Sequence, residues 1–393
     1  MRNQKRRVIA LHVGASSDPN AMAGSESTAV GTLSVSTFDA ASHKLEALRN
    51  SAGITIEAPS FDIKLIAPMD VPTATAAAAP AVSWGVEAVG ALSSAFDGSG
   101  VTVAILDTGI DRDHPAFAGV EIIEKDFTGE GNGDQNGHGT HCAGTICGRD
   151  VSGTRMGVAR GVKRLLIGKV LGQDGGGSSD AIADAMVWAI QNGAHIISMS
   201  LGMDFPGYQK ALVSEGRPAE VATSMALEGY RENTRLFDKM AALIEAGQFL
   251  GRRALVVAAT GNESRRDVSS GFTIAKAPPA AADGFLSVAA VQQSNNIAKP
   301  FKVASFSNTK ADVAAPGVDI WSAAPGGGLR PLSGTSMATP HAAGVAAMWT
   351  HKSMSENDGD AVIGDVIDNL RFHAKLTTGL LRDDVGKGVV QCP

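Results

Sequence analysis

Three short segments of this chain carry side chains capable of nucleophilic chemistry. In A-I-L-D-T-G-I-D-R-D-H-P, Asp107 directly follows a continuous apolar run. A carboxylate there can serve a site, or it can simply form the turn before Thr108 and Gly109. An acid protease needs a second such carboxylate to share a proton, and D-T-G occurs once in this chain. In N-G-H-G-T-H-C-A-G-T, Gly137 and Gly139 flank His138, so backbone can approach closely there. His138 and His141 lie three apart with Cys142 and Cys147 nearby. No second ligand pair at zinc spacing accompanies them, so no metal site is expected. In L-S-G-T-S-M-A-T-P-H-A-A-G-V-A-A-M-W, Ser336 stands near the start of a helix built of small residues. The positive end of the helix dipole favours a reactive hydroxyl there, and the free N–H groups can bind an oxyanion. Taken alone, G-T-S reads better as a plain helix cap through Ser333, Thr335 or Ser336.

The elements that must position these residues read as an alternation. Apolar runs at 101–106, 165–170, 195–200, 254–259 and 285–291 suit strands buried on both faces. Helical patterns at 180–191 and 231–250 fall between them, and 336–349 is a buried small-residue helix. This predicts a doubly wound α/β domain with a mostly parallel sheet and helices on both faces. Sites in such domains gather beyond the carboxyl ends of the strands, where Asp107 stands. Ahead of it, strands are expected at 7–13, 32–37, 54–57 and 62–66, and a helix at 42–51 with Leu45 and Leu48 on one face. That makes a small α+β unit. The Ala/Pro/Thr-rich stretch 72–82 reads as a linker, dividing the chain into 1–77 and 78–393.

D-T-G, H-G-T-H-C-A-G-T and G-T-S-M-A-T-P-H, in that order, resemble the subtilisin family. A fourth block, V-V-A-A-T-G-N-E around Asn262, is similar to that family's oxyanion segment. The resemblance runs from about Trp84 to Gln391. It implies a serine endopeptidase in which Ser336 attacks the scissile carbonyl, His138 moves the proton and Asp107 holds the imidazole. Asn262 and the Ser336 N–H would bind the oxyanion. Gly175, Gly176 and Gly177, with Ser200, Leu201 and Gly202, resemble the two backbone segments between which a substrate adds as a strand. Ala259, Thr260 and Gly261 resemble a wall of the pocket for the residue before the scissile bond, with Glu263 at its rim as a selector for Lys or Arg.

The leading region resembles a prosegment, with its cut expected at 74–82. Other features depart from the family. Ala116 stands where a calcium-binding Asp is usual, and R-D-V-S-G-T-R-M-G replaces the calcium loop. No cofactor is required, and at most a weak structural calcium site is expected. Cys142 after H-G-T-H resembles the proteinase K branch, beneath the histidine. The stretch 204–233 is extra, with a helical tendency; it either narrows the cleft or decorates the surface.

Bulk properties narrow the partners. Net charge is −6, and no basic stripe with interleaved aromatics suggests nucleic acid. No run is long enough to span a membrane. Three cysteines make no disulfide framework, and the apolar run 8–13 behind a basic start is short for an export signal and contains His12. Cytoplasmic residence is expected on these grounds, with secretion as the alternative. The expected partners are a peptide or protein substrate and the chain's own prosegment. Rival readings are a dedicated maturation protease for one partner peptide and an inactive peptide-binding homologue. An esterase expects G-x-S-x-G and another residue order.

Overall fold

The computed structural model describes residues 7–14, 32–39, 43–50, 54–69, 78–245 and 253–393. The leading unit comprises β1 (Arg7–Gly14), β2 (Thr32–Asp39), α1 (His43–Arg49), β3 (Ile54–Pro59) and β4 (Asp62–Leu65). The long domain begins with α2 (Trp84–Ala88), β5 (Thr102–Asp107), β6 (Glu121–Asp126), α3 (His138–Cys147), β7 (Arg164–Lys169), β8 (Gly176–Ser178) and α4 (Ser179–Gln191). It continues through β9 (Ile196–Met199), β10 (Leu201–Gly202), α5 (Phe205–Ser214), α6 (Ala219–Glu245), β11 (Leu255–Ala259), β12 (Leu286–Asn296) and β13 (Lys299–Val303). It ends with β14 (Val313–Pro316), β15 (Ile320–Ala324), β16 (Gly328–Leu332), α7 (Thr335–Glu356), α8 (Ile363–Phe372) and α9 (Arg382–Val385).

The main sheet has strand order β13-β12-β11-β9-β5-β7-β6, with β14 also paired to β12, and only β13 runs antiparallel. Every residue of β5, β9 and β11 is buried, as continuous apolar runs require. Alternate side chains serve opposite layers. Val103 and Ile105 pack with Ala143 of α3 and Ala342 of α7, whereas Ala104 and Leu106 pack with Ile182 of α4 and Phe237 of α6. The sheet is therefore covered on both faces, as the doubly wound reading requires. Among the described residues no helix is long and apolar enough to cross a membrane.

The leading unit forms a separate antiparallel sheet of order β2-β1-β3. Its middle strand is the apolar run that follows the basic start. β2 lies against α4 and β3 against α6, and Ile9 is buried on Leu236. β4 does not join this sheet. It runs antiparallel between β8 and β10, which share no other strand among the described residues. Short strand edges with free N–H and C=O groups are satisfied by an added strand. Residues 72–77 of the expected linker lie outside the described residues, as does the expected boundary at 77.

The extra stretch folds as a hairpin of α5 and the first half of α6. Asp204 caps α5, accepting from the Gly207 N–H at 2.7 Å. α6 starts twelve residues earlier than the expected helix at 231, because Ala222, Ala226, Gly229, Asn233 and Leu236 form one continuous buried face. Residues 246–250 of that expected helix lie outside the described residues.

Candidate active site

Asp107 is the last residue of β5 and His138 the first of α3. Both are fully buried, and His138 Nδ1 lies 2.8 Å from Asp107 Oδ1. The carboxylate also accepts from the Thr108 N–H at 2.8 Å. Two glycines permit this approach. A Cβ on Gly139 would stand 2.2 Å from the Gly109 carbonyl oxygen, and Gly109 itself has φ +108. Burial pulls the His138 pKa down, but the adjacent Asp107 charge and the Cys142 sulfur push it up further, leaving it well above the ordinary value. Among the described residues, His138 Nε2 is buried without a hydrogen-bond partner.

Ser336 is the second residue of α7; the Thr335 N–H beside it bonds to Asn262, and those of Met337 and Ala338 bond back to the Gly334 carbonyl. Asn262 follows β11. Its Oδ1 accepts from the Thr335 N–H at 3.0 Å and the Thr335 hydroxyl at 2.9 Å. Those two bonds aim Nδ2 outward. A Cβ on Gly334 would stand 3.2 Å from that nitrogen, so the G-T-S glycine leaves the amide its room. Ser200 donates through Oγ to the Ser336 carbonyl at 3.0 Å, and fixes the helix start.

The cleft holds this chain's own residues 62–69. Asp62, Ile63 and Lys64 pair with Ser178, Gly177 and Gly176, while Lys64 and Leu65 pair with Gly202 and Leu201. The Leu65 N–H donates to the Gly175 carbonyl at 2.8 Å. Five of the six expected strand-binding residues therefore contact an extended peptide, and Ser200 meets Ser336 instead. A Cβ on Gly202 would sit 3.1 Å from Ile66 Cδ1, so that glycine makes space for the Ile66 side chain. The Ser336 hydroxyl donates to the Ile66 carbonyl at 2.8 Å and lies 3.3 Å from the Ser200 carbonyl. Asn262 Nδ2 donates to the next carbonyl, that of Ala67, at 3.0 Å, and the Met69 N–H donates to Ser333 at 2.7 Å. With the hydroxyl engaged on carbonyls, it is not bonded to His138. A buried carboxylate and imidazole, a hydroxyl at a helix start and an amide donor beside a peptide carbonyl together suit acyl transfer.

Ala259, Thr260 and Gly261 are buried at the end of β11. The Gly261 N–H lies 3.3 Å from Thr335 Oγ1, and Asn308 donates to the Thr260 carbonyl at 3.0 Å. Glu263 accepts from Asn308 Nδ2 at 2.6 Å, and burial pushes its pKa up to about 6. This engagement, and an apolar Ile66 in the cleft, weaken the expectation that Glu263 selects a basic side chain. His141 is structural: Nε2 faces the Ile320 and Arg330 carbonyls, and burial, with His138 adjacent, lowers its pKa to about 3. Cys142 lies beneath the imidazole, with Sγ 3.8 Å from His138 Nδ1 and 3.5 Å from the Ser336 carbonyl.

Sequence reasoning missed Asp134 and Lys169. Asp134 accepts from the Thr108 hydroxyl at 2.8 Å, the Gly137 N–H at 2.7 Å, and the Thr140 N–H at 2.8 Å and hydroxyl at 2.6 Å. It ties the D-T-G turn to the start of α3. Its local signal was the turn sequence D-Q-N-G, in which the N–H groups two and three residues on bond back to the Asp carboxylate. Lys169 is buried at the end of β7 and donates to the Thr108 carbonyl at 2.9 Å. No sequence pattern marks it.

Residues 98–375 match the Subtilase family. Subtilisin BL of Lederbergia lenta is 35% identical over 285 residues, covering 70% of this chain and 87% of that protein. M-protease of Shouchella clausii (strain KSM-K16) is 36% identical over 285 residues, covering 70% and 62% respectively. Alkaline elastase YaB of Bacillus sp. (strain YaB) is 37% identical over 282 residues, covering 70% and 61%.

Proposed function

The chain belongs to the subtilase family of serine endopeptidases, and from that premise we propose that it processes itself by cutting Ile66–Ala67. Ser336 Oγ attacks the Ile66 carbonyl carbon while His138 Nε2 takes the hydroxyl proton. Asp107 holds Nδ1–H and stabilises the imidazolium. Asn262 Nδ2 and the Ser336 N–H bind the oxyanion. The Ile66–Ala67 bond then breaks, with His138 returning the proton to the Ala67 nitrogen, and water cleaves the acyl-enzyme by the reverse route. Two small movements precede attack. The hydroxyl turns from the Ile66 and Ser200 carbonyls to His138, and the Ile66 carbonyl replaces that of Ala67 on Asn262.

The observation that carries this reading is the 2.8 Å separation of Ser336 Oγ and the Ile66 carbonyl oxygen, within a strand threaded between β8 and β10. Cleavage there makes residues 1–66 the prosegment, and moves the cut upstream of the 74–82 expected from the sequence. The next bond, Ala67–Pro68, is disfavoured because its nitrogen belongs to proline, whose ring crowds the leaving group. Once the prosegment leaves, the same groove takes peptide or protein substrates as an added strand, with Ala259–Gly261 as a pocket wall. Every reacting group is a side chain or backbone amide, so no cofactor is needed. Arg149 donates to the Cys147 and Val162 carbonyls at 2.8 and 3.2 Å, which occupies oxygens near the altered calcium loop. Cytoplasmic residence has no support from the relatives and forms no part of the proposal.

Intact mass and N-terminal sequencing of wild type beside Ser336→Ala test the reading. Wild type is expected to yield fragments ending at Ile66 and beginning at Ala67, while the variant stays whole. A whole wild-type chain, or equal cleavage in both, sinks it. Dedicated processing of one partner peptide is the second reading, favoured by the α5–α6 hairpin beside the cleft. Broad cutting of unrelated peptides would remove it.

A further inference from the structure

We propose that the α5–α6 hairpin builds a subsite for an aromatic side chain at the sixth residue before the scissile bond. The inference rests on the reading above that Ile66–Ala67 is that bond, which makes Phe61 the sixth residue upstream.

The backbone at this position is held individually. Beyond the last strand pair, Asp62 with Ser178, the Phe61 N–H donates to Ser179 Oγ at 2.9 Å. The Ser179 N–H in turn donates to the Phe61 carbonyl at 2.9 Å. Ser60 donates through its hydroxyl to Asp180 Oδ1 at 2.6 Å. Peptide recognition thus continues from the cleft sheet onto the first turn of α4, and it fixes which way the sixth side chain projects.

That side chain enters a space the insertion has shaped. A Cβ on Gly229 of α6 would stand 2.8 and 3.0 Å from Phe61 Cε1 and Cζ, and 3.5 Å from Phe205 Cε1. Gly229 has ordinary helical backbone, so its missing side chain serves the ring rather than a turn; glycine inside a helix is otherwise unfavourable. The Phe205 ring meets Tyr230 edge to face at 5.1 Å, and the Tyr230 hydroxyl donates to the Lys276 carbonyl at 3.1 Å. The pocket wall is therefore anchored to the body of the enzyme. Asp204, which caps α5, comes two residues after the end of β10. One insertion thus starts where the peptide's partner strand stops and folds back over the peptide's upstream end. A flat ring fits beside a glycine where a branched aliphatic side chain leaves the Phe205 face unfilled.

The test uses enzyme purified as the full chain and left to process itself and release residues 1–66, with two fluorogenic peptides, SFDIKLIAPM and the same peptide with Ala for Phe, and products identified by mass. In wild type the Phe peptide is expected to exceed the Ala peptide about tenfold in kcat/KM, the effect of burying much of one large apolar side chain. In Gly229→Ala the new methyl occupies the ring's place, and the ratio falls toward one. Each ratio is taken within one enzyme, so altered folding or active fraction cancels. A ratio near one in wild type, or an undiminished ratio in Gly229→Ala, overturns the subsite. Cleavage at another bond, or none in either peptide, instead overturns the assignment of Ile66–Ala67, and the subsite with it.

Discussion

Asn262 offers the sharpest test, because its two side-chain atoms do separable work. Nδ2 faces a peptide carbonyl, whereas Oδ1 is the acceptor for the buried Thr335 N–H and hydroxyl. Asn262→Ala removes both. The loss of Nδ2 lowers kcat by about 10²–10³, a magnitude taken from subtilisin's own oxyanion asparagine. The loss of Oδ1 leaves two fully buried donors unpaired, at about 1–3 kcal/mol each. Together they cost about 2–6 kcal/mol of a total stability on the order of 5–15 kcal/mol. Asn262→Asp restores the acceptor but not the donor, and its charge sits at the favourable end of the α7 dipole. It is expected to melt near wild type while turning over at least as poorly as Asn262→Ala. Thermal melts and peptide turnover on the three proteins check both parts. Asn262→Ala turning over at the wild-type rate would refute the oxyanion role. Asn262→Asp melting as low as Asn262→Ala would refute the hydrogen-bond accounting.

The pH profile follows from His138, whose pKa is held well above 6.5 in the folded chain. Only neutral imidazole accepts the Ser336 proton, so first-turnover self-cleavage should still rise with pH above 6.5; a profile already flat at about pH 6 would falsify this. Because the folded pKa is raised, the Asp107–His138 pair adds stability that is fully present below about 6.5 and lost as pH climbs through the folded value. Gly139→Ala forces a methyl against the Gly109 carbonyl and displaces α3; turnover should drop about a hundredfold, and a variant as active as wild type would show that this approach does not position His138. Burial raises the Cys142 pKa, so alkylation should be slow and, once complete, inactivating, while Cys142→Ala keeps most activity. Fast labelling of the native chain, or a dead Cys142→Ala enzyme, contradicts that picture.

The fold class could be read from the amino-acid pattern alone, and the same pattern brought forward Asp107, His138, Asn262 and Ser336 as candidates. Asp107 ends β5, His138 and Ser336 stand at the starts of α3 and α7, and Asn262 lies three residues past β11, so each candidate sits beside an element whose pattern is local. Strands read at 7–13, 32–37, 54–57 and 62–66 were likewise legible from apolar runs, and they run over 7–14, 32–39, 54–59 and 62–65. Two things were decided only in three dimensions. The first is that β4 leaves the leading unit and fills the cleft: main-chain hydrogen bonds are alike for every residue type, so an extended run announces a strand but not its neighbours. The second is the set of contacts that align the site, such as Asp134 bridging the D-T-G turn to α3, Lys169 on the Thr108 carbonyl and Gly229 under Phe61. These join segments far apart in the chain, and a charged or missing side chain reveals its purpose only when folding brings its partner within contact distance.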